Sequence, residues 1–198
     1  GSAIIVESGN EASIGAADDP LTVNVATGGS LIARSGMDVN IRAIGDLPLQ
    51  EIFAGGRAQV TAAGAITDDA ATGAVRVRAA DLLLAGASVG TEDDALVIEI
   101  TDEEAGALDL ETTTGDAFVQ AEGGLRLSRA EIAGGGLIAT TASLALIGHD
   151  TIGFGTGSAL ELIAMSGIDV TGATGAPRAT GATDGATGPA QLAGPRVS

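Results

Sequence analysis

Residues 12–25 read Ala-Ser-Ile-Gly-Ala-Ala-Asp-Asp-Pro-Leu-Thr-Val-Asn-Val, and residues 87–100 read Ala-Ser-Val-Gly-Thr-Glu-Asp-Asp-Ala-Leu-Val-Ile-Glu-Ile. Six of the fourteen positions are identical and three more exchange Ile with Val, at an offset of 75. The match continues downstream. Gly45-Asp46-Leu47-Pro48-Leu49 answers Gly123-Gly124-Leu125-Arg126-Leu127, and Ala54-Gly55-Gly56 answers Ala133-Gly134-Gly135. An internal repeat of this length points to a solenoid, in which each unit buries its apolar side against the next.

Within the repeat, apolar residues alternate with polar ones instead of recurring at helical spacing. Leu21-Thr22-Val23-Asn24-Val25, Val39-Asn40-Ile41, Val75-Arg76-Val77 and Leu96-Val97-Ile98-Glu99-Ile100 show it. Leu108-Asp109-Leu110, Leu125-Arg126-Leu127 and Leu160-Glu161-Leu162 follow suit. Each run is short and bounded by turn residues, which suits the sides of a coil. Glycines punctuate the chain at Gly36, Gly55-Gly56, Gly73, Gly90, Gly115, Gly134-Gly135-Gly136 and Gly155. Those intervals of roughly 17–25 residues fit one coil of a parallel β-helix. Four coils would make the longer repeat, and about eight coils fit before residue 171. The expected fold is all-β: a single-stranded parallel β-helix (β-solenoid), right-handed, over residues 3–170. Val23, Val25, Val39, Ile41, Val75, Val77, Ile98, Ile100, Leu108, Leu110, Leu125, Leu127, Leu160 and Leu162 are the expected interior. Residues 171–198 repeat Gly-Ala-Thr without the strict period of collagen and read as an extended Ala/Gly/Thr/Pro-rich tail.

The Ser-Ile-Gly-x-x-Asp-Asp-Pro-Leu block at 13–21 and its copy at 88–96 resemble the repeats of filamentous-haemagglutinin-like giant bacterial exoproteins. Gly-Asp-Leu-Pro-Leu at 45–49, and Ala-Gly-Gly followed by Val-Thr-Ala within 54–62, carry the same resemblance. It spans about residues 3–165. It implies a secreted protein, a long right-handed β-helical shaft, and a role in adhesion or cell-surface structure, with no catalytic motif to transfer. The secretion domain of such exoproteins is not recognisable here, and the tail lies outside the pattern.

Composition narrows the function further. The chain has 198 residues, 26 Asp plus Glu against nine Arg, no Lys, no Cys, and a formal net charge of -17. Nucleic-acid binding needs clustered cations, so none is expected. No apolar run approaches the roughly 18–20 residues of a membrane helix, so membrane insertion is not expected. Without Cys there is no disulfide or thiolate site. Gly1-Ser2 reads as a cloning scar or the start of a cut piece.

Candidate chemistry begins with three Asp doublets: Asp18-Asp19, Asp68-Asp69 and Asp93-Asp94. Paired carboxylates on stacked turns could supply several of the six to eight oxygens that Ca²⁺ takes. The competing reading makes them turn residues whose carboxylates bind backbone N–H groups. Asp102-Glu103-Glu104 reads as a solvated loop. Arg76 with Arg78, and Arg126 with Arg129, could serve a polysaccharide-cleaving site, or else pair with neighbouring acids as outward residues. A net charge of -17 would repel a polyanionic substrate, and no Tyr or Trp offers a sugar platform. His149 beside Asp150 lacks the Gly-x-Ser-x-Gly nucleophile turn and reads as a turn histidine. Thr112-Thr113-Thr114 and Thr140-Thr141 do not recur regularly enough for an ice-binding face.

The expected function is therefore non-enzymatic: a structural segment of an extracellular or cell-surface shaft or fibre, adhesive and self-assembling end to end. The alternatives are a carbohydrate-active or carbohydrate-binding β-helix domain and a Ca²⁺-dependent surface module. No cofactor is expected apart from the Ca²⁺ candidate. Expected partners are further copies, neighbouring segments of a longer chain, or a host or cell-surface ligand.

Overall fold

The structure is a computed structural model that describes residues 2–69, 74–147, 152–155 and 160–169. The expected tail lies outside the described residues. Among them every regular element is a strand, and no helix is long and apolar enough to cross a membrane. In chain order the strands are β1 (Ala3–Glu7), β2 (Leu21–Val23), β3 (Ser30–Ser35), β4 (Val39–Ala43), β5 (Leu47–Ala54) and β6 (Arg57–Ala62). Next come β7 (Ile66–Asp68), β8 (Val77–Ala79), β9 (Asp81–Gly86), β10 (Leu96–Ile100), β11 (Leu108–Thr112) and β12 (Ala117–Glu122). The last are β13 (Leu125–Ile132), β14 (Gly136–Thr140), β15 (Ser143–Leu146), β16 (Ile152–Phe154), β17 (Leu160–Ala164) and β18 (Gly167–Asp169).

The strands form two parallel sheets. The first stacks β1-β3-β5-β8-β10-β12-β14-β17, with β7 beside β5. The second stacks β2-β4-β6-β9-β11-β13-β15-β18, with β16 beside β13. The chain alternates between them, which is the path of a parallel β-solenoid. About six turns close, against the eight coils counted from glycine spacing. Eight strands stand along each main path, but among the described residues the terminal strands β1, β2, β17 and β18 have a neighbour on one side only.

Alternation puts one residue in two inside, and register then stacks like positions into columns. In the first sheet Val6, Ala33, Ile52, Val77, Ile98, Ala121, Thr140 and Ala164 lie one above another. In the second, Leu21, Ile41, Val60, Leu84, Leu110 and Ala130 do so. The core between the sheets is almost wholly aliphatic. Each large side chain in it contributes roughly 1.5–3 kcal/mol of burial free energy. Of the expected interior, Val23, Val39, Ile41, Val77, Ile98, Ile100, Leu108, Leu110, Leu125, Leu127 and Leu162 are buried. Val25 and Leu160 are partly buried against the core. Val75 is a correction. It precedes β8 and lines a surface groove, because the alternating strand begins at Val77.

The 75-residue repeat also needs correcting. In the first copy, Ile14 bridges Val39, the chain makes a short excursion, and it rejoins the second sheet as β2. In the second copy, Val89 bridges Ile66 and Ala117, and after a like excursion the chain rejoins the first sheet as β10. From β2 to β10 the chain crosses between sheets seven times, taking β7 and β8 as one rung. The repeat therefore spans three and a half turns, not four. Both sheets ask the same alternation of their strands, so a half-turn can recur on either face. The echo of β5 in β13 has the same cause. The two sit in opposite sheets, and each carries one extra residue in its pairing, Gln50 and Ser128.

Both excursions turn on a glycine in the left-handed region, Gly15 at φ 65° and Gly90 at φ 64°. A Cβ on Gly90 would stand 2.2 Å from the Phe118 carbonyl oxygen of the next rung. Gly28 has a similar φ of 73°, with nothing within 4 Å of its Cβ position. Gly28→Ala is expected to lose about 1–2 kcal/mol from backbone strain alone. Gly90→Ala should lose clearly more, because the rung above must also shift. Urea unfolding of the two variants checks this, and equal losses would contradict the close stacking.

Candidate functional site

The three Asp doublets do not form one site. Asp18 and Asp19 are exposed on the excursion before β2. Asp93 is exposed and Asp94 half-buried on the matching excursion before β10, in the other sheet. Each small turn is closed by its backbone. The Ala16 and Asp19 amides donate to each other's carbonyls at 3.0 and 3.1 Å, and Thr91 and Asp94 do the same at 3.0 and 3.2 Å. Among the described residues no three Asp, Glu or His side chains gather into a group able to hold a metal ion.

Other carboxylates bind backbone amides. Asp38 Oδ1 accepts from the Arg57 amide at 2.9 Å, Asp46 Oδ1 from Ala65 at 3.0 Å, and Asp116 Oδ1 from Gly135 at 2.7 Å. Each fastens a turn to the turn above it. Asp102 Oδ1 accepts from the Glu104 and Ala105 amides at 3.2 and 3.0 Å, so its acidic run is a self-capped turn.

The third doublet is different. Asp68 ends β7 opposite Leu49, a core position, and its side chain has no exposed surface. Asp69 is exposed, and its amide donates to the Leu49 carbonyl. β7 ends at Asp68, and Arg76 stands just before β8. The Arg76 amide donates to the Val97 carbonyl at 2.8 Å, and its carbonyl accepts from the Ile52 amide at 2.6 Å. Arg76 Nε stands 2.6 Å from Asp68 Oδ1, and the guanidinium side chain is 8% exposed. A buried ion pair thus joins the end of β7 to the start of β8. Arg76 was expected outside beside Arg78, and this is a correction. The missed signal is the alternation Ile66-Thr67-Asp68, which directs a carboxylate inward.

Arg78 does face outward and pairs with Glu99 at 2.6 Å. It belongs to an outer column of the first sheet that runs Glu7, Arg34, Phe53, Arg78, Glu99, Glu122. Arg34 bridges Glu7 at 2.8 Å and Glu51 at 2.5 Å. The hydrogen bond from Arg34 holds the Glu51 carboxyl below its usual range, against a smaller opposing effect of burial. On the second sheet Arg129 lies 3.7, 3.3 and 2.6 Å from Asp109, Glu111 and Glu131. Burial raises the Asp109 carboxyl, and the nearby Arg129 and Arg57 pull it the other way. Arg126 turns elsewhere and donates to the Glu104 carbonyl. These exposed pairs are worth about 0–1 kcal/mol each.

Beside the outer column a shallow groove is lined by Val75, Arg78, Glu99, Ile100, Thr101, Glu103, Glu122 and Gly123. It offers carboxylates and one guanidinium, the latter already bound to Glu99. The threonines form no flat ladder. Thr112 and Thr140 are buried. The Thr112 hydroxyl donates to the Gly115 carbonyl within its own turn, and that of Thr140 donates to the Gly123 carbonyl of the preceding turn. His149 and Asp150 lie outside the described residues.

No protein-family model, curated protein or solved structure matches the chain. The resemblance to haemagglutinin-like repeats therefore carries as far as the parallel β-solenoid and no further.

Proposed function

We propose that the chain is a structural, non-enzymatic segment of an extracellular bacterial surface shaft or fibre, possessing an adhesive side. The observation that carries this reading is the continuity of the core. Its aliphatic columns run from rung to rung, and the outward arginines Arg34, Arg57, Arg78 and Arg129 each meet a carboxylate within the same sheet. A solenoid of this kind resists bending because every turn is hydrogen-bonded to the next along both faces. The matching experiment pulls single chains from their two ends. A load-bearing shaft is expected to release one turn of about 21 residues at a time, roughly 70 Å of extension per step. Unravelling without resolvable force steps would sink the reading.

The groove beside Arg78 favours a second reading, a carbohydrate-binding face, because Glu99, Glu103 and Glu122 line it with that arginine. Titration with neutral and acidic polysaccharides separates the two. Saturable binding that Arg78→Ala removes would establish the carbohydrate reading. A calcium-dependent module would instead show a melting point that falls on adding a chelator.

A further inference from the structure

The two ends of the first sheet match each other. Among the described residues β1 pairs only with β3, and β17 only with β14. The core columns are partly open at the β1 end and only slightly so at the β17 end. Ile4 and Val6 are only partly buried, while their register partners Leu31 and Ala33 show no exposed surface. At the other end Leu162 and Ala164 are 7% and 8% exposed, while Ile138, the partner of Leu162, is fully buried.

The outer face repeats the asymmetry. One outer column contains Ile5, Ile32 and Glu51 at one end, and Val97, Gln120, Ala139 and Ile163 at the other. Its exposed apolar residues are the terminal ones, Ile5 at 61% and Ile163 at 38%, and Met165 beyond β17 is 74% exposed. Parallel edges with unpaired backbone and apolar flanks accept a further strand.

We infer that the occupant of the β17 edge is the β1 strand of a second copy, docked head to tail and in register. Continuing the internal register sets Val6 of the incoming copy on Ala164, Ile4 on Leu162 and Ile5 beside Ile163. The outer strip then reads Ile163, Ile5, Ile32 without a break, and both core columns continue at the ordinary rung spacing of about 4.8 Å. A second copy fits because the last rung repeats the inward-outward-inward apolar order of the rung that β1 already meets. This inference rests on the shaft reading and names how shafts join.

Analytical ultracentrifugation of the whole chain over a concentration series tests it. The wild-type weight-average mass should climb with concentration. Ile5→Arg and Ile163→Glu, both outward positions, should each abolish that climb while leaving the melting point at low concentration unchanged. Mixing the two variants should restore association, since each supplies the charge the other lacks. A wild-type chain that stays monomeric throughout, as it would if the first rung were covered by another segment or partner, overturns the inference. So does association that neither variant affects. Neither result bears on the force steps of a single chain, so failure here is distinguishable from failure of the shaft reading.

Discussion

Replacing Ile98 with Asp is expected to lower stability by about 5 kcal/mol or more, the largest single loss in the chain. Ile98 is fully buried, and Val77 and Ala121 lie on either side of it in its column. Removing the aliphatic side chain costs about 2–5 kcal/mol by itself. The carboxylate adds the cost of burying an unpaired charge. Because each turn contacts only its neighbours, the damage should centre on β8, β10 and β12. Hydrogen exchange should show those amides losing protection first, with the rungs near β1 and β2 less affected. The deficit should also depend on pH. Burial raises the folded-state pKa of the new carboxyl above its unfolded value of about 3.9. The penalty is therefore absent below that value, grows through the folded pKa, and is complete above it. Glu99→Gln, one position along and facing outward, should change stability by no more than about 1 kcal/mol. A melting curve for Ile98→Asp that matched the wild type would remove Ile98 from the core.

How much of this was legible in the sequence follows from what alternation can and cannot encode. Runs such as Leu96 to Ile100 and Leu108 to Leu110 state which residues face inward, and the structure buries them accordingly. Glycine spacing shows that the chain turns repeatedly. It does not distinguish closed turns from end rungs, hence the excess in the coil count. Nor does it tell which sheet a strand joins, so a repeat of seven half-turns read as four whole ones. Val75 and Arg76 failed for a related reason. Alternation holds only inside a strand, and both residues precede β8. The placing of the acidic doublets is a matter of register. Whether Asp18-Asp19 and Asp93-Asp94 come together depends on which sheet each excursion leaves, and that is set by pairing between rungs rather than by spacing along the chain. Three of the carboxylates that bind backbone amides, Asp38, Asp46 and Asp116, each follow a glycine closely.

The second large effect is expected where the end of β7 meets the start of β8. Arg76→Ala should cost about 3–5 kcal/mol, because it leaves the Asp68 carboxylate buried without the guanidinium beside it. For a chain of this length that corresponds to a melting point lower by roughly 10 °C. The Arg76 backbone should keep its bonds to Ile52 and Val97, so the loss reads the side chain and not the rung. Arg78→Ala is the internal comparison. It removes a pair of nearly equal length whose partners are 47% and 31% exposed, and it should cost about 0–1 kcal/mol. The double variant Asp68→Leu with Arg76→Leu should recover most of the loss. A leucine at 68 would stand opposite Leu49 and continue an aliphatic column, and apolar replacement of a buried pair is often neutral or better. The two single variants and the double form a cycle whose coupling energy isolates the pair. If Arg76→Ala proves as mild as Arg78→Ala, burial here does not strengthen the pair, and Arg76 is held by its backbone bonds. If instead the single variants are severe and the double variant is mild, the pair's role is to neutralise a charge that alternation has turned into the core.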